Sequence, residues 1–352
     1  MPARTMLAVQ LAAWGRPPEL REVPVPTPVG TEVVIGVLAA GVCRSDLHVM
    51  AAGPDDFAYP LPMTLGHEVV GEVIEVGDPG DVGWVGERVV VHGIWGCGSC
   101  PNCTRGRENY CVRLLPDAAG RRTPIGNGLG FDGGLAQAML VPSTRHLVRI
   151  GDLDPVQAAP LADAGLTAFH AIAEHRDIID EKSVVGVIGV GGLGHIAVQL
   201  LKRMGAGTVC AVDNRESAIA FARELGADRA GTSLPEVLDG SLADIVFDFA
   251  GHQSTMTPGL AALAPGGRFV VVGTAGGELT LGKHLGLASG WRVQAPFWGP
   301  ARHLSEVVDV AAQGGIAAEA AVFPLAEALE VYRRLDAGEI TGRAVVVPPP
   351  LT

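Results

Sequence analysis

The chain has 352 residues, of which 48% are hydrophobic and 18% are charged, and its formal net charge is −12. This length predicts two domains, and the apolar content suffices for a substantial core. The 38 acidic residues against 26 basic ones repel phosphate groups, which disfavours nucleic acid and anionic membranes as partners. The sequence has no apolar run of about eighteen residues, the length that predicts a membrane span.

The N-terminal segment MPARTMLAVQLAAWGRPPEL is predicted to form the first β-strand. Its apolar run is short, becomes charged and proline-containing within a few residues, and lacks the cleavage site of a secretion signal. We therefore expect a soluble cytoplasmic protein.

Two segments then carry side chains that can bind a metal. AAGVCRSDLH contains Cys43, and TLGHEVVGEV contains His67 and Glu68. A lone cysteine or histidine is more often a packing residue than a ligand, but two such clusters together favour a metal. Further along, LADAGLTAFH places Asp163 among apolar residues, where a carboxylate is costly unless it is paired or coordinated.

Residues 96–111, GCGSCPNCTRGRENYC, contain four of the six cysteines: Cys97, Cys100, Cys103 and Cys111. Two disulfides are one interpretation, but they need an oxidising compartment and would restrain little chain. Four thiolates with short, turn-rich spacers suit tetrahedral zinc, and four protein ligands leave no open position. The segment therefore predicts a structural zinc lobe. A zinc-binding nucleic-acid module is the alternative, which the acidic net charge disfavours.

The segment SVVGVIGVGGLGHIAVQLLKRMGAGTVCAVD predicts a strand, a glycine turn, a helix and a second strand. The short β-branched run from Val184 to Ile188 is typical of a buried parallel strand, and Cys210 is expected to be an ordinary buried residue of the second strand. Asp213 ends that strand. This is the context that a dinucleotide-binding fingerprint requires. The turn itself is formed by Gly189, Gly191, Gly192, Leu193 and Gly194.

The fingerprint predicts NAD as the cofactor. Glycines let the backbone approach the pyrophosphate, and the helix N-terminus offers unpaired N–H groups to it. Asp213 is predicted to bind the ribose hydroxyls and to repel the 2′-phosphate of NADP. Arg215 leaves the strictness of that preference open, because its charge can compensate such a phosphate.

The rest of the chain continues as alternating strands and helices. ADIVFDFAG, GGRFVVVGTAG and GWRVQAPFWG are predicted strands, and STMTPGLAAL is a weak helical pattern interrupted by proline. HLSEVVDVAAQGG and PLAEALEVYRRLDAGEI predict amphipathic helices, followed by a closing strand, GRAVVVP. The segment GNGLGFDGG is a candidate for a flexible loop.

GVCRSDLH, LGHEVVGEV, the four-cysteine lobe and the glycine turn together resemble the zinc-dependent alcohol dehydrogenases of the medium-chain dehydrogenase/reductase superfamily. The similarity extends over nearly the whole chain, and the DAGLT context of Asp163 is most similar to bacterial NAD-dependent secondary alcohol dehydrogenases. It implies an α/β fold: a mostly-β, GroES-like catalytic domain (residues 1–163 and 299–352) and a doubly wound Rossmann domain (residues 164–298). A zinc-free quinone reductase of the same superfamily would have little use for these cysteines.

The resemblance implies a second, catalytic zinc. Cys43, His67 and Asp163 would be its ligands, leaving one position for water or a substrate oxygen. Glu68 would lie behind the ligands or coordinate transiently. Asp46 would bind the other ring nitrogen of His67, with a helix N-cap or a solvated acid as the alternative.

The same resemblance implies how protons and phosphates are handled. Ser45 and His48 would pass the alcohol proton through the cofactor ribose to solvent; a cap and a surface histidine are the alternative interpretations. Arg44 and Arg343 would contact the pyrophosphate, although either could be a surface ion-pair residue.

The implied reaction is reversible hydride transfer between a secondary alcohol and NAD, giving a ketone, in a homodimer or homotetramer with two zinc ions per subunit. Primary alcohols, which give aldehydes, and polyols are alternative substrates, and a non-catalytic protein that keeps this fold is an alternative of a different class. Motif neighbourhood gives four candidates for the pocket wall, although aromatic residues are more often core: Tyr59, His92, Trp95 and Trp298.

Overall fold

The computed structural model describes residues 4–285 and 287–351, which form two compact units. The first unit comprises the chain up to Asp163, Pro300–Gln313 and the chain from Ala318 onward. The second comprises Ala164–Gly299 and Gly314–Ala317. Within the described ranges, no helix is long and apolar enough to cross a membrane.

The helices and strands are numbered in chain order. The strands are β1 Thr5–Leu11, β2 Glu19–Pro24, β3 Val33–Val42, β4 Met63–Thr64, β5 Glu68–Val76, β6 Arg88–Val91, β7 Gly126–Asn127, β8 Gly130–Phe131, β9 Ala138–Val141, β10 Leu147–Arg149, β11 Val184–Ile188, β12 Thr208–Val212, β13 Arg229–Gly231, β14 Ala243–Asp248, β15 Leu263–Val271, β16 Arg292–Gln294, β17 Ala320–Pro324 and β18 Arg343–Val347. The α-helices are α1 Arg44–Ala51, α2 Pro155–Ala158, α3 Ala164–Ala173, α4 Gly194–Arg203, α5 Glu216–Glu224, α6 Leu234–Leu238, α7 Gln253–Ala261, α8 Ala301–Ala312 and α9 Ala328–Asp336.

The first unit is mostly β-structure. Its seven-stranded sheet has the order β10-β6-β5-β3-β18-β17, with β9 also pairing with β3, and β2-β1-β4 form a second sheet. β3 is apolar and buried along most of its length, as a strand paired on both sides and covered on both faces should be. The register pairs Gly41 with Glu68 and Val42 with Ala344. The end of β3, the start of β5 and the start of β18 therefore meet at one place in the sheet.

The second unit is a six-stranded parallel sheet in the order β13-β12-β11-β14-β15-β16, the doubly wound order of a Rossmann fold. The predicted strands occur, and the last of them, β16, is only three residues long. Cys210 on β12 is completely buried, as predicted. Gly314–Ala317 group with this unit, outside the predicted boundaries, and the Gln199 side chain bonds both backbone groups of Ala317.

Two local expectations differ from the structure. The proline in STMTPGLAAL does not interrupt its helix, since Pro258 lies inside α7. GNGLGFDGG is not a free loop, because it contains β7 and β8, and Asn127 within it is completely buried. Its glycines pack backbone against backbone: a Cβ on Gly133 would lie 2.2 Å from the carbonyl oxygen of Gly66.

Candidate functional site

Cys43 and Asp46 are held together where β3 passes into α1. Cys43 is the N-cap of α1 with an extended backbone, and its N–H donates to Asp46 Oδ2 at 3.1 Å. The other carboxylate oxygen, Oδ1, lies 2.9 Å from Nδ1 of His67. Asp46 is the third residue of α1, so it is neither the N-cap nor a solvated acid: its carboxylate bonds both the N-cap backbone and the His67 ring.

Cys43, His67 and Asp163 converge in the first unit. Cys43 Sγ lies 3.5 Å from Asp163 Oδ2, and His67 Nε2 lies 3.4 Å from the same oxygen. With a carboxylate oxygen of Glu68, their ligand atoms all lie within 4.8 Å of one another, and all four residues are buried. The sequence placed these residues up to 120 positions apart, and the fold brings them together.

Glu68 stands behind this cluster in a completely buried position. Its Oε1 accepts a hydrogen bond from Arg343 Nη2, while its Oε2 has no hydrogen-bond partner among the described residues. Burial raises the pKa of Glu68 to about 7, against the opposing effect of Arg343. Gly41 leaves room for this side chain, because a Cβ there would lie 1.9 Å from Oε2.

The cluster gathers several acidic side chains in a largely buried place. Burial alone would lower the pKa of His67, but Asp46 and Asp163 raise it well above its ordinary value. Three carboxylates and a thiol thus surround one imidazole, with Arg343 as a buried cation beside them. A mixed sulfur, nitrogen and oxygen donor set of this kind fits a zinc ion.

Two supports of the cluster were not predicted from sequence. Asn127, in the glycine-rich segment, donates to the carbonyl oxygen of His67 at 3.2 Å. Gly66, directly before His67, has a φ of 94°, which favours glycine. Tyr332 on α9 is also buried. Its burial, and to a lesser extent the neighbouring Asp46, raises the pKa of its hydroxyl well above the ordinary value. The high glycine content of GNGLGFDGG was the one sequence feature that could have indicated close backbone packing beside His67.

The predicted relay residues lie on α1. The Ser45 hydroxyl is half-buried, 3.7 Å from Cys43 Sγ, whereas His48 and Arg44 are exposed. Ser45 and His48 are three residues apart, so they lie on neighbouring positions of one helix face. The structure brings Ser45 to the cluster and leaves its role a prediction.

The predicted pocket residues belong to both units, with Tyr59, His92 and Trp95 in the first and Trp298 in the second. Tyr59 is buried, its ring centroid lies 4.7 Å from that of Phe57, and burial raises its pKa to about 12 despite the opposing effects of Arg122 and His67. Trp95 packs against Phe131 with ring centroids 5.0 Å apart. The two remaining candidates are both buried: His92 in the first unit and Trp298, with a φ of 50°, in the second.

The four lobe cysteines form a compact cluster of thiols. Cys97 Sγ and Cys103 Sγ are 3.9 Å apart, as are Cys100 Sγ and Cys111 Sγ. Sulfurs about 2.3 Å from a central zinc would lie about 3.8 Å apart at the corners of a tetrahedron. Backbone N–H groups also point at the sulfurs, and those of Ser99 and Cys100 help to lower the pKa of Cys97 to about 5. The cluster therefore suits a zinc ion held by thiolates.

The lobe is tied to other parts of the first unit by two side chains that sequence reasoning missed. Glu108 Oε1 accepts a hydrogen bond from the N–H of Ala301, so a carboxylate stabilises the N-terminus of α8. Arg145 donates to the carbonyl oxygen of Gly96 and, at 3.0 Å, to Nε2 of His146. Burial and the adjacent Arg145 lower the pKa of His146 to about 3.

The glycine turn of the second unit joins β11 to α4. Gly189 has a φ of 85°, and a Cβ on Gly194 would lie 1.8 Å from the carbonyl oxygen of Gly189. At these two positions the backbone of the turn requires glycine whether or not a ligand is bound. At Gly191, by contrast, a Cβ would have none of the described residues within 4 Å except its chain neighbours. The open space over this backbone is what a pyrophosphate would fill.

Asp213 follows β12, and both of its carboxylate oxygens accept hydrogen bonds. Oδ2 accepts from the N–H of Val190 at 2.9 Å, and Oδ1 accepts from the N–H and Nε of Arg215 at 3.0 and 3.1 Å. Burial would raise the pKa of Asp213, but these bonds hold it below its ordinary value. The carboxylate is therefore charged and already engaged by Arg215.

Comparison with known proteins gives matches over almost the whole chain. Residues 30–152 match the alcohol dehydrogenase GroES-like domain, and residues 192–313 match the zinc-binding dehydrogenase family. The chain is 33% identical over 351 residues to the D-arabinose 1-dehydrogenase (NADP(+)) of Saccharolobus solfataricus, covering 97% of both chains. It is 32% identical over 352 residues to the NAD-dependent alcohol dehydrogenase of Sulfolobus acidocaldarius, covering 97% of this chain and 99% of that one.

The alcohol dehydrogenase of the hyperthermophilic archaeon Aeropyrum pernix has a similar crystal structure. Its TM-score to this chain is 0.87 at 34% identity, covering 97% of this chain and 100% of that one. Together with the match to the GroES-like domain and the Rossmann order of the second unit, this similarity confirms the predicted fold class.

Proposed function

Because the chain belongs to the zinc-dependent alcohol dehydrogenases of the medium-chain dehydrogenase/reductase superfamily, we propose that it catalyses reversible hydride transfer between an alcohol and NAD, giving a ketone or an aldehyde. The observation that carries this proposal is the convergence of Cys43, His67 and Asp163 within hydrogen-bonding distances in a buried, negatively charged cluster. Such a set suits a catalytic zinc, since three protein ligands leave one position open.

Cys43, His67 and Asp163 would hold that zinc, and Cys97, Cys100, Cys103 and Cys111 would hold a structural one. The bound zinc would supply Lewis acidity that lowers the pKa of an alcohol hydroxyl, and NAD would supply the hydride acceptor. Asp46 fixes the tautomer of His67 by accepting from Nδ1–H, which leaves Nε2 as the ligand atom. Glu68, whose Oε2 is unpartnered among the described residues, is proposed as a transient ligand.

Proton transfer is proposed to begin at Ser45. Its half-buried hydroxyl beside Cys43 can accept the alcohol proton while donating its own onward. His48, exposed one helical turn away, would exchange that proton with solvent. The arrangement joins a dry cluster to water through two side chains of a single helix.

NAD is proposed to bind the second unit. Gly189, Gly191, Gly192, Leu193 and Gly194 would cradle its pyrophosphate at the N-terminus of α4, with Arg44 and Arg343 as further cationic contacts implied by the resemblance. Asp213 would bind the adenosine ribose, and its hydrogen bonds from Arg215 make the strictness against NADP a property to be measured. The relative from Saccharolobus solfataricus is named as NADP(+)-dependent.

A secondary alcohol is the proposed substrate. The buried Tyr59 and Phe57 rings near His67 support an apolar group on its carbon skeleton, and we retain His92, Trp95 and Trp298 as candidate wall residues. A polyol or sugar is the second candidate, which the D-arabinose 1-dehydrogenase relative favours.

We also propose a homodimer or homotetramer in the cytoplasm. β16 ends the parallel sheet, so its outer edge can pair with a second copy. Thiolate ligands for two zinc ions need a reducing compartment.

NADH formation at 340 nm across a panel of secondary alcohols, primary alcohols and polyols tests the function, with zinc counted per chain. We expect two zinc ions and oxidation of secondary alcohols in preference to the others. NAD binding without turnover of any alcohol in a protein holding two zinc ions would contradict the proposal and favour a non-catalytic protein.

A further inference from the structure

His195 is a completely buried histidine that the proposed mechanism does not use. It is the second residue of α4, and its Nδ1 lies 2.9 Å from the carbonyl oxygen of Gly191. A carbonyl oxygen only accepts, so Nδ1 carries the hydrogen in this bond. The backbone N–H of His195 donates to the same oxygen at 3.1 Å. Two donors from one residue therefore hold a single carbonyl of the glycine turn.

Fixing this carbonyl fixes the N–H of the next residue. The Gly191 carbonyl and the Gly192 N–H belong to one planar trans peptide, so they point in opposite directions. With the carbonyl held on the helix side, the Gly192 N–H is directed away from the helix. Gly192 lies directly before Leu193, the N-cap of α4, and backbone N–H groups of the glycine turn that precedes such a helix bind phosphate.

The constraint matters because the peptide lies between glycines. Glycine lacks the steric barriers that keep other residues in one backbone conformation, and apart from its chain neighbours no atom of the described residues would lie within 4 Å of a Cβ on Gly191. The two hydrogen bonds from His195 to the Gly191 carbonyl oxygen are therefore the restraint that the structure shows for this peptide.

The imidazole is itself held firmly. Its ring stacks on Phe221, with centroids 6.0 Å apart and an interplanar angle of 27°. The carbonyl oxygen of His195 accepts from Gln199 Nε2 at 3.1 Å, and the Gln199 amide also bonds the backbone of Ala317. The fixed His195 side chain thus restrains the glycine turn that precedes α4.

We propose that His195 is a positioning residue for the pyrophosphate of the dinucleotide, acting through the Gly191–Gly192 peptide. The inference rests on the proposed NAD-dependent function and adds a residue to it. His195 touches no phosphate in this mechanism; it pre-orients the N–H that does, so that binding need not order the glycine turn.

The test compares His195→Leu, which removes the side-chain donor and keeps the backbone one, with His195→Asn, whose side-chain amide nitrogen can take the place of Nδ1. Binding of ADP-ribose, which contains the pyrophosphate, and of adenosine, which does not, is measured by calorimetry or competition. His195→Leu should weaken ADP-ribose binding about five-fold, the equivalent of about 1 kcal/mol for one hydrogen bond, and leave adenosine binding unchanged. His195→Asn should restore most of the loss.

The control variant is His175→Asn, which alters another buried histidine of the same unit, bonded to Arg268 rather than to the glycine turn. It should lower the melting temperature and leave the ratio of the two affinities unchanged. In steady-state assays, His195→Leu should raise the KM for NAD with little change in kcat, because the turn acts on binding. If His195→Leu fails to fold, His195→Gln takes its place in the test. The glutamine amide nitrogen lies one bond farther from the backbone than Nδ1, so it should miss the Gly191 carbonyl and weaken ADP-ribose binding to the same extent.

Two results would overturn the inference: equal ADP-ribose affinity in wild type and folded His195→Leu, or equal losses for ADP-ribose and adenosine. Failure of the proposed function would look different, because the wild-type protein itself would then oxidise no alcohol or bind no NAD, whereas the two results above concern the difference in affinity between folded variants.

Discussion

Replacing Asp213 by asparagine is expected to weaken NAD binding and relax the preference for NAD, whereas replacing Arg215 by alanine is expected to sharpen it. Asp213 Oδ1 accepts two hydrogen bonds from Arg215, and Oδ2 accepts one from Val190 in the glycine turn. Asparagine keeps one oxygen for the Val190 N–H, so the turn retains this bond while the negative charge is lost.

The two magnitudes differ because the two groups differ in exposure. A hydrogen bond to a charged group contributes about 1.5–3 kcal/mol, so losing the carboxylate should weaken NAD binding about 10- to 100-fold. The same change removes repulsion of a 2′-phosphate and frees Arg215 to pair with it. The Arg215 side chain is 43% exposed, and exposed ion pairs contribute about 0.2–1 kcal/mol. Arg215→Ala should therefore improve discrimination against NADP by no more than about five-fold.

Fluorescence titration with NADH and NADPH measures the two affinities and hence their ratio. The ratio of kcat/KM with NAD to kcat/KM with NADP measures the same cofactor preference in turnover. Lys202→Ala is the matched control, since Lys202 pairs with Asp228 in the same unit at similar exposure and should leave the ratio unchanged. A wild-type preference for NADP, or a shift in the same direction for both variants, would refute this account of Asp213.

Three further predictions concern the metal sites and pH. Cys103→Ser should leave one zinc per chain and lower the melting temperature, with hydride transfer by the remaining folded protein little changed; loss of both zinc ions would contradict separate sites. Ser45→Ala should keep both zinc ions and the affinity for NAD but lower the rate of alcohol oxidation at least about 100-fold. Asp163→Ala should instead lose one zinc ion and the activity in both directions. A wild-type rate of oxidation by Ser45→Ala, with the chemical step rate-limiting, would exclude this proton route. Because the pKa of His146 is about 3 in the folded chain and 6.5 ordinarily, the unfolded chain binds a proton below pH 6.5 that the folded chain does not. Stability should then fall by about 2 kcal/mol between pH 7 and pH 5, and denaturant unfolding of His146→Gln should show a fall smaller by about that amount.

The sequence predicted what short motifs and periodicity encode. The strand, glycine turn and helix around Gly189 were predictable because their signals lie within about thirty residues. The burial of Cys210 was predictable because its strand is short and mostly apolar. The family resemblance predicted that Cys43, His67 and Asp163 lie close together, as ligands of one zinc ion. The register of Gly41 with Glu68 shows how the fold does so.

The remaining features depend on contacts that no local pattern encodes. Tyr332 belongs to an amphipathic helix whose pattern does not indicate that the side chain is buried, or that burial and Asp46 raise its pKa. Glu108 resembles any charged residue of a loop until Ala301, 193 residues later, donates to it. GNGLGFDGG suggested flexibility by composition, but its glycines serve close backbone packing around His67.

The discontinuous first unit has a consequence for how the chain folds during synthesis. β3 and β5 leave the ribosome early, but β18, which pairs with β3, follows only after the whole of β11 to β16. Glu68 receives the guanidinium of Arg343 across 275 residues. Contacts of such long range form late, so in a nascent chain that stops before β18, burial of the Glu68 carboxylate would leave it without its cation. Removing one member of a buried ion pair costs about 3–5 kcal/mol, so incomplete chains should remain open to chaperones and proteases while complete ones close.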